Sequence, residues 1–313
     1  MRFPHLLLAL LTLLWPLLTS SNAQLQVEVA VSRSLYIAYE PLIAKVTIHN
    51  FSGNSLYLSD SDQTPWFGFQ IETLDGRPVP PRSSKYSNPP IMLRAGEKIS
   101  RAINLTPIYP IAEFGGYRLR ANIHDASRDQ FYTSPPITIE ITEGKSLFKK
   151  TVGVPAGQPG GGGVREISLL SHRLPSSTQL YLRIEDPKSG LIYCTHRLGR
   201  IVSYGTPQIE LDASNRIHIL QNVAPKAFLY SHVGLNGEVL ERKTYNQTGK
   251  RPGLIKSTNG DLNVVGAVPI NPEAATALAE QPLPSLADRP VPLPTGSDLK
   301  QPEDPRPKNL LSR

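Results

Sequence analysis

One stretch of the sequence combines residue types that can do acid–base chemistry or bind a metal. It covers residues 207–220, PQIELDASNRIHIL, and places Asp212 six residues before His218. A carboxylate near an imidazole is used both in general acid–base catalysis and in zinc coordination. The same stretch also fits a β-hairpin, because a small polar turn separates two short apolar runs. The pattern alone is compatible with either interpretation.

A second copy of this pattern tests the chemical interpretation. Residues 252–265, PGLIKSTNGDLNVV, repeat it about 45 residues later. The aligned pairs are Pro207 with Pro252, Asp212 with Ser257, Ile217 with Leu262, and His218 with Asn263. The pattern therefore persists without the acid and the histidine. Because isoleucines flank His218 on both sides, strand alternation predicts that it faces solvent. We expect a structural or surface histidine, no catalytic residue and no metal site.

The segments that precede the two hairpins also match each other. Residues 178–198 and 227–245 each read as strand, turn and strand. Together the four hairpins predict two blade-like, four-stranded repeats within residues 164–268, at the spacing of propeller blades. A closed propeller needs about four to eight blades. Two units must therefore form a small sheet or sandwich, pack on the first region, or complete themselves by oligomerisation.

Residues 24–144 alternate apolar and polar side chains over short runs broken by turn residues, which predicts an antiparallel β-sandwich. LRAGEKISRAINL followed by FGGYRLRANIHD resembles the E-to-F passage of immunoglobulin-like sandwiches. YIAYEPLIAKVTIHNFSGNSLYL is similar to the B-strand entry of bacterial extracytoplasmic Ig-like modules. Tyr117 fits a tyrosine corner, in which the hydroxyl bonds to the backbone upstream. The resemblance implies a fold and no particular activity.

The N-terminal residues 1–23, MRFPHLLLALLTLLWPLLTSSNA, have the charge, apolar run and small exit residues of a signal peptide cleaved near Ala23. No second long apolar run follows, so we expect a soluble secreted or periplasmic protein without a transmembrane segment. The single cysteine, Cys194, cannot form an internal disulfide, which favours a bacterial envelope protein over an animal ectodomain. We expect Cys194 to be a small buried side chain and not a nucleophile.

Two further segments have biased compositions. Residues 145–163 contain the run GQPGGGG, which lacks the Gly-Lys-Ser/Thr ending of a phosphate-binding loop and is expected to be a flexible linker. Residues 269–313 are rich in proline and poor in aromatic residues, so we expect a disordered tail.

The positive charge of the chain is concentrated in one region. Formal net charges are −1 for residues 24–144 and +8 for residues 145–270, within a total of +7. We expect a basic binding face that includes Arg183, Lys188, Arg197, Arg200, Arg216, Arg242, Lys243 and Arg251; Arg165, Arg173 and Lys250 belong to the same excess. A basic face suits anionic glycans, wall polymers, lipid headgroups or acidic proteins. A solvated surface without a partner is the alternative.

These observations favour an exported, non-enzymatic protein that binds a glycan or another secreted protein, or that takes part in a surface assembly. Nucleic acid is disfavoured by export, and no cofactor is expected. The competing hypothesis is an extracytoplasmic hydrolase, for example one directed at glycans, with its site on hairpin loops such as 212–215. Neither a His-Glu-x-x-His motif nor a Gly-x-Ser-x-Gly elbow occurs in the sequence to support it.

Overall fold

A computed structural model of the chain describes residues 25–61, 64–83, 88–202 and 205–270. The expected signal peptide lies outside the described residues, as does the expected tail from residue 271 onward. Strands make up 57% of the described residues, which contain no helix, and this confirms the all-β class. Within the same ranges there is accordingly no helix that could span a membrane.

The first region contains ten strands. They are β1 (Leu25–Val31), β2 (Leu35–Ile37), β3 (Ile43–Asn50), β4 (Leu56–Leu58), β5 (Phe67–Thr73), β6 (Ile91–Leu93), β7 (Lys98–Asn104), β8 (Gly115–Asp125), β9 (Gln130–Thr133) and β10 (Ile137–Thr142). One sheet has the order β1-β3-β7 and a second the order β2-β10-β8-β5, with β9 paired to β8. Strands β4 and β6 form a small ribbon.

The two larger sheets of the first region enclose one apolar core. Alternate residues of β1 and β3 are buried, as the period-two pattern predicts, and they pack with Trp66, Phe67 and Leu119. The expected tyrosine corner is present. Tyr117 is buried and its hydroxyl donates a hydrogen bond to the carbonyl of Glu113 at 2.9 Å. This bond fixes the chain where it enters β8.

The second region contains eleven strands. They are β11 (Lys145–Gly153), β12 (Val164–Arg173), β13 (Thr178–Glu185), β14 (Ile192–Ile201), β15 (Gln208–Leu211), β16 (Ile217–Ala224), β17 (Ala227–Val233), β18 (Val239–Gln247), β19 (Gly253–Lys256), β20 (Leu262–Val265) and β21 (Ala267–Pro269). The expected linker 145–163 is therefore wrong in its first half, where β11 pairs with β12 along its length. Residues 154–163, which include the glycine run, form the loop that closes this hairpin.

The predicted hairpins are all present, but their grouping into sheets differs from the prediction. Strands β11 to β14 form one antiparallel meander, and β15 to β18 form a second, to which β21 adds. The expected unit 178–220 thus spans two sheets, because β13 and β14 pair with β12 and not with β15. Hairpin β19–β20 forms a separate ribbon.

The two meanders of the second region pack face to face as a sandwich. Leu182 and Leu198 of the first meander share a core with Ile219 and Val233 of the second. Polar side chains also cross between them: the side-chain amide of Gln221 donates to the carbonyl of Arg200 at 3.0 Å. The packing of the two sheets thereby buries the apolar faces that two isolated blades would leave exposed.

The two regions are joined by a small mixed interface. Ile37, Leu170 and Tyr181 form a buried apolar cluster between them. Beside it, the hydroxyl of Thr142 is hydrogen-bonded to Nε2 of His172 at 2.8 Å. Thr142 lies in β10 and His172 in β12. The contact therefore holds the first sandwich against the outer face of sheet β11-β12-β13-β14.

The second region has two ends that differ in chemistry. Consecutive turns of an antiparallel meander lie at alternate ends of its sheet. Turns 174–177 and 225–226 meet at one end, here called the arginine end. Turns 186–191, 212–216 and 234–238 lie at the other, here called the histidine end. There the side-chain amide of Asn215 donates to the carbonyl of Gly153 at 2.9 Å and ties the two sheets together.

Candidate functional site

The basic residues predicted to bind a ligand do not share one face. Arg242 and Lys243 are neighbours on β18 and so point to opposite sides of the sheet. Arg183 is half-buried between the two regions, where its guanidinium donates to the carbonyl of Ala38 and lies over the ring of Tyr39. The prediction of a continuous basic face is therefore wrong, because strand alternation and the interface divide the set.

Most of the other predicted binding residues form hydrogen bonds or ion pairs with other groups of the protein. The contacts are Arg197 to Gln179 Oε1 at 3.1 Å, Arg216 to Asp212 Oδ2 at 2.7 Å, Arg242 to the carbonyl of Leu198 at 2.8 Å, Lys243 to Glu241, and Arg251 to the carbonyl of Thr206 at 3.2 Å. Lys188 lies in the exposed turn 186–191. Arg200 lines a cleft at the arginine end, and Arg183 lines a smaller pocket of about 200 Å³ together with Glu143, Glu166 and Glu185.

A cleft of about 580 Å³ opens at the arginine end. It is lined by Arg173, Leu174, Pro175, Ser176, Ser177, Thr178, Arg200, Ile201, Val202 and Pro225. The sheet register builds this arrangement. Arg173 ends β12 directly opposite Thr178, which begins β13, whereas Arg200 pairs with Gln179 and so lies at the same end of the sheet but on its other face. We call Arg173, Ser176, Ser177, Thr178 and Arg200 the arginine cleft.

The arginine cleft has the chemistry of an anion site. Two arginines and three hydroxyl-bearing residues line this cleft, and none of the described lining residues is acidic. Guanidinium groups bind carboxylate, sulfate and phosphate in a fixed fork geometry. The volume lies within the range of small-ligand sites. Both arginines belong to the basic excess seen in the sequence, but only the structure places them in the lining of one cleft.

His218 does not face solvent as predicted, because its face of the sheet is itself covered. The side chain is only 5% exposed, since β15 and β17 flank it and hairpin β19–β20 packs over the same face. Its Nδ1 is hydrogen-bonded to the hydroxyl of Tyr230 at 2.7 Å. Alternation predicts which side of a strand a residue lies on, but it cannot predict whether a further hairpin covers that side.

Asp212 is also buried, and its carboxylate organises the turn. Oδ1 accepts the backbone N–H groups of Ser214 and Arg216 at 2.8 and 2.9 Å, and Oδ2 accepts Nε of Arg216 at 2.7 Å. Burial alone would raise the pKa of Asp212, but these hydrogen bonds outweigh it and lower that pKa. Oδ2 also lies 3.5 Å from Nε2 of His218. The acid and the histidine are thus brought together.

The second copy of the hairpin has the same backbone turn. The N–H of Asn215 donates to the carbonyl of Asp212 at 3.0 Å, and the N–H of Gly260 donates to that of Ser257 at 2.9 Å. Their φ angles are 61° and 90°, both left-handed. The turn equivalence inferred from sequence is confirmed. The chemistry differs because Asn263 is exposed on a ribbon, whereas His218 lies on the outer face of the second meander, which that ribbon covers.

Cys194 is protonated at neutral pH. Burial raises the pKa of its thiol to about 12. It packs against Gly237 of turn 234–238, where the positive φ of 89° and the adjacent sulfur both favour glycine. A thiol with so high a pKa is a poor nucleophile, in agreement with the sequence expectation.

Comparisons with known proteins give no family for this chain. No family model matches it, and neither does any curated protein sequence. The sporulation control protein Spo0M from Bacillus subtilis aligns over 54% of this chain and 82% of its own, with 9% identity and a TM-score of 0.27. The periplasmic chaperone SfaE aligns over 70% and 98%, with 9% identity and a TM-score of 0.23. Such scores carry no functional argument, so function is argued from the site geometry.

Proposed function

We propose that the protein is an exported, non-enzymatic binding protein of the cell envelope that holds an anionic glycan in the arginine cleft. The observation that carries the proposal is that Arg173 and Arg200 both line one cleft whose described lining has no acidic side chain. The export signal expected at residues 1–23 supports an envelope glycan as the partner and disfavours nucleic acid.

The residues that line the cleft support recognition of a sugar acid or a sulfated sugar. Hydroxyl groups of Ser176, Ser177 and Thr178 supply donors and acceptors for neutral sugar hydroxyls, while the guanidinium groups pair with the charged substituent. Prolines at positions 175 and 225 restrict the two turns that border the opening. A restricted site loses less conformational freedom on binding.

The lining of the cleft favours binding over catalysis. Its residues contribute no carboxylate, imidazole or thiol, so the cleft contains neither a general base nor an activated nucleophile. The hydrolase hypothesis placed its site at loop 212–215 instead. In that loop Asp212 accepts three hydrogen bonds that hold the turn. These hydrogen bonds explain the carboxylate by its role in the turn, without a catalytic role.

Titration calorimetry with a sulfated disaccharide and its unsulfated parent tests the proposal. We expect the sulfated sugar to bind and the parent to bind much more weakly. The double variant Arg173→Ala/Arg200→Ala should lose roughly 30-fold in affinity, at about 1 kcal/mol per charged hydrogen bond. Raising the salt concentration should weaken binding further, because the charges are partly exposed.

A matched control removes the same charge from the first region. Arg94, which precedes β7, and Lys98, which begins it, are both exposed and lie outside the cleft. The variant Arg94→Ala/Lys98→Ala should therefore bind the sulfated sugar as tightly as the wild type. Unchanged affinity in the Arg173/Arg200 double variant would refute the cleft as the site. Equal affinity for the unsulfated parent would refute anion recognition. Chemical conversion of the sugar during incubation would refute the non-enzymatic assignment.

A further inference from the structure

A second histidine joins Asp212 and His218 at the histidine end. His232 on β17 is the direct cross-strand partner of His218 on β16. Their rings stack with centroids 4.1 Å apart and planes inclined by 22°. One nitrogen of each imidazole and one oxygen of Asp212 all lie within 4.8 Å of one another. Three groups that bind metals therefore converge, although they come from a turn and two strands.

The two imidazoles each have a free nitrogen in this cluster. Nε2 of His218 and Nε2 of His232 are both buried, and neither has a hydrogen-bond partner among the described residues. His218 is more than nine-tenths buried, so water does not readily replace the missing partner. Buried polar atoms are nearly always satisfied by protein, water or an ion. Two such nitrogens next to a carboxylate are suited to bind a cation.

The surrounding hydrogen bonds orient the three groups as they do in metal sites. The Tyr230 hydroxyl, 2.7 Å from Nδ1 of His218, can accept the proton on that nitrogen and leave the Nε2 lone pair available. The backbone N–H groups of Ser214 and Arg216 hold Oδ1 of Asp212, which points Oδ2 toward His218. Outer partners of this kind fix ring orientation and tautomer around bound metals.

We propose that Asp212, His218 and His232 bind one divalent ion of the zinc class. Two imidazoles and a carboxylate suit zinc, cobalt or nickel better than magnesium or calcium, which prefer all-oxygen sites. The 3.5 Å between Oδ2 of Asp212 and Nε2 of His218 is close to the ~3.4 Å ligand separation of a tetrahedral site with bonds of about 2.0–2.1 Å. Three protein ligands leave one position for water or an external group.

The electrostatics of the site are consistent with this assignment. Burial lowers the pKa of His218, although Asp212 opposes the shift, and burial together with His218 lowers the pKa of His232. A lowered pKa favours the neutral imidazole, which is the form that binds metals. Arg216 is the competing cation on Oδ2, but that oxygen has a second lone pair and the arginine side chain is 43% exposed.

Metal titration of the purified full chain, made without a polyhistidine tag and treated with a chelator, tests the proposal. We expect one cobalt ion per chain, with the visible absorption of a tetrahedral cobalt centre, displaced by one equivalent of zinc. His232→Gln and Asp212→Asn should weaken zinc binding by more than about 100-fold, since each removes a ligand. Tyr230→Phe, which keeps the ring and removes the hydroxyl, should weaken it by roughly 10-fold.

His124→Gln is the matched control. His124 is also 5% exposed and has a carboxylate, Asp129, at 3.1 Å, but it lies in the first region without a second histidine. This variant should bind zinc as the wild type does. The proposal is overturned if the wild type binds no cobalt, or if His232→Gln and Asp212→Asn bind with unchanged affinity. Should either variant fail to fold without metal, the other and Tyr230→Phe decide the outcome.

Discussion

The arginine end and the histidine end of the second region are built from the same two meanders but present opposite chemistry. At the arginine end, Arg173 and Arg200 extend from strand ends into an open cleft. At the histidine end, Asp212 and His218 are buried. Asp212 accepts a hydrogen bond from Arg216, and His218 is hydrogen-bonded to the hydroxyl of Tyr230. Hairpin β19–β20 covers one face of the second sheet, and Leu254 and Val264 pack there.

This difference shows that burial, more than residue type, decides what a polar group does. Side chains at the open end keep their donors available for a ligand from solution. Buried side chains must find partners within the protein or bind an ion. The repeated hairpin makes the same point, since its exposed copy at residues 252–265 has the turn without the buried cluster.

Removing the carboxylate at the histidine end should have the largest effect on stability. Asp212→Ala leaves two backbone N–H groups and Arg216 without their acceptor, so the free energy of unfolding should fall by about 2 kcal/mol. Ser176→Ala, at the exposed arginine end, should change it by less than about 0.5 kcal/mol. Urea unfolding in chelator-treated buffer measures both. Equal losses in the two variants would remove the distinction between the ends.

Each end also has a turn residue in the left-handed region, and the two should respond differently to glycine. Lys226 at the arginine end has φ 63° and Asn215 at the histidine end has φ 61°. Lysine is strained there, so Lys226→Gly should stabilise the fold by roughly 0.5–1 kcal/mol. Asparagine tolerates this conformation and its side chain bonds to Gly153, so Asn215→Gly should gain nothing. Thermal unfolding compares them; a loss of stability in Lys226→Gly would contradict this account.

The smallest effect concerns a carboxyl pair near the histidine end. Burial and the neighbouring Glu166 raise the pKa of Glu185. Because the folded protein holds this proton more tightly, ionisation of Glu185 reduces stability as the pH rises through its folded pKa. Glu185→Gln should therefore stabilise the protein at pH 7, by less than about 1 kcal/mol because the pair is partly solvated, and leave it unchanged below about pH 4.

Unfolding at pH 3.5 and pH 7 measures this dependence. Glu166→Gln is the useful comparison, because Glu166 also pairs with Lys149 at 2.7 Å and its loss removes that ion pair. It should stabilise the protein less than Glu185→Gln does. A gain from Glu185→Gln that is equal at both pH values would show that ionisation is not its cause.

Local features of the fold could be predicted from the sequence. Period-two alternation and turn residues located the hairpins of the second region, including the turn shared by Asp212 and Ser257. The Gly-Gly-Tyr pattern located the tyrosine corner at Tyr117. These features depend on residues close in sequence, so their signals are contained in short windows.

Features that depend on distant pairing could not be predicted in this way. Strand β11 was missed because three lysines and a following glycine run mask its alternation. The sheet grouping was wrong because a hairpin pattern does not specify which neighbour it pairs with. His232 lies on another strand from His218, so no spacing motif links the two. Arg173 and Arg200 reach the same end of one sheet only through the pairing of β12 with β13 and of β13 with β14.

A site-resolved NMR titration with a sulfated disaccharide tests most directly whether anions bind at the arginine cleft. We predict that the amide signals of residues 174–178 and 200–202 shift and saturate together, while the imidazole signals of His218 and His232 do not move. Saturable shifts confined to the histidine end or to the first region, with those of the cleft unchanged, would contradict the account.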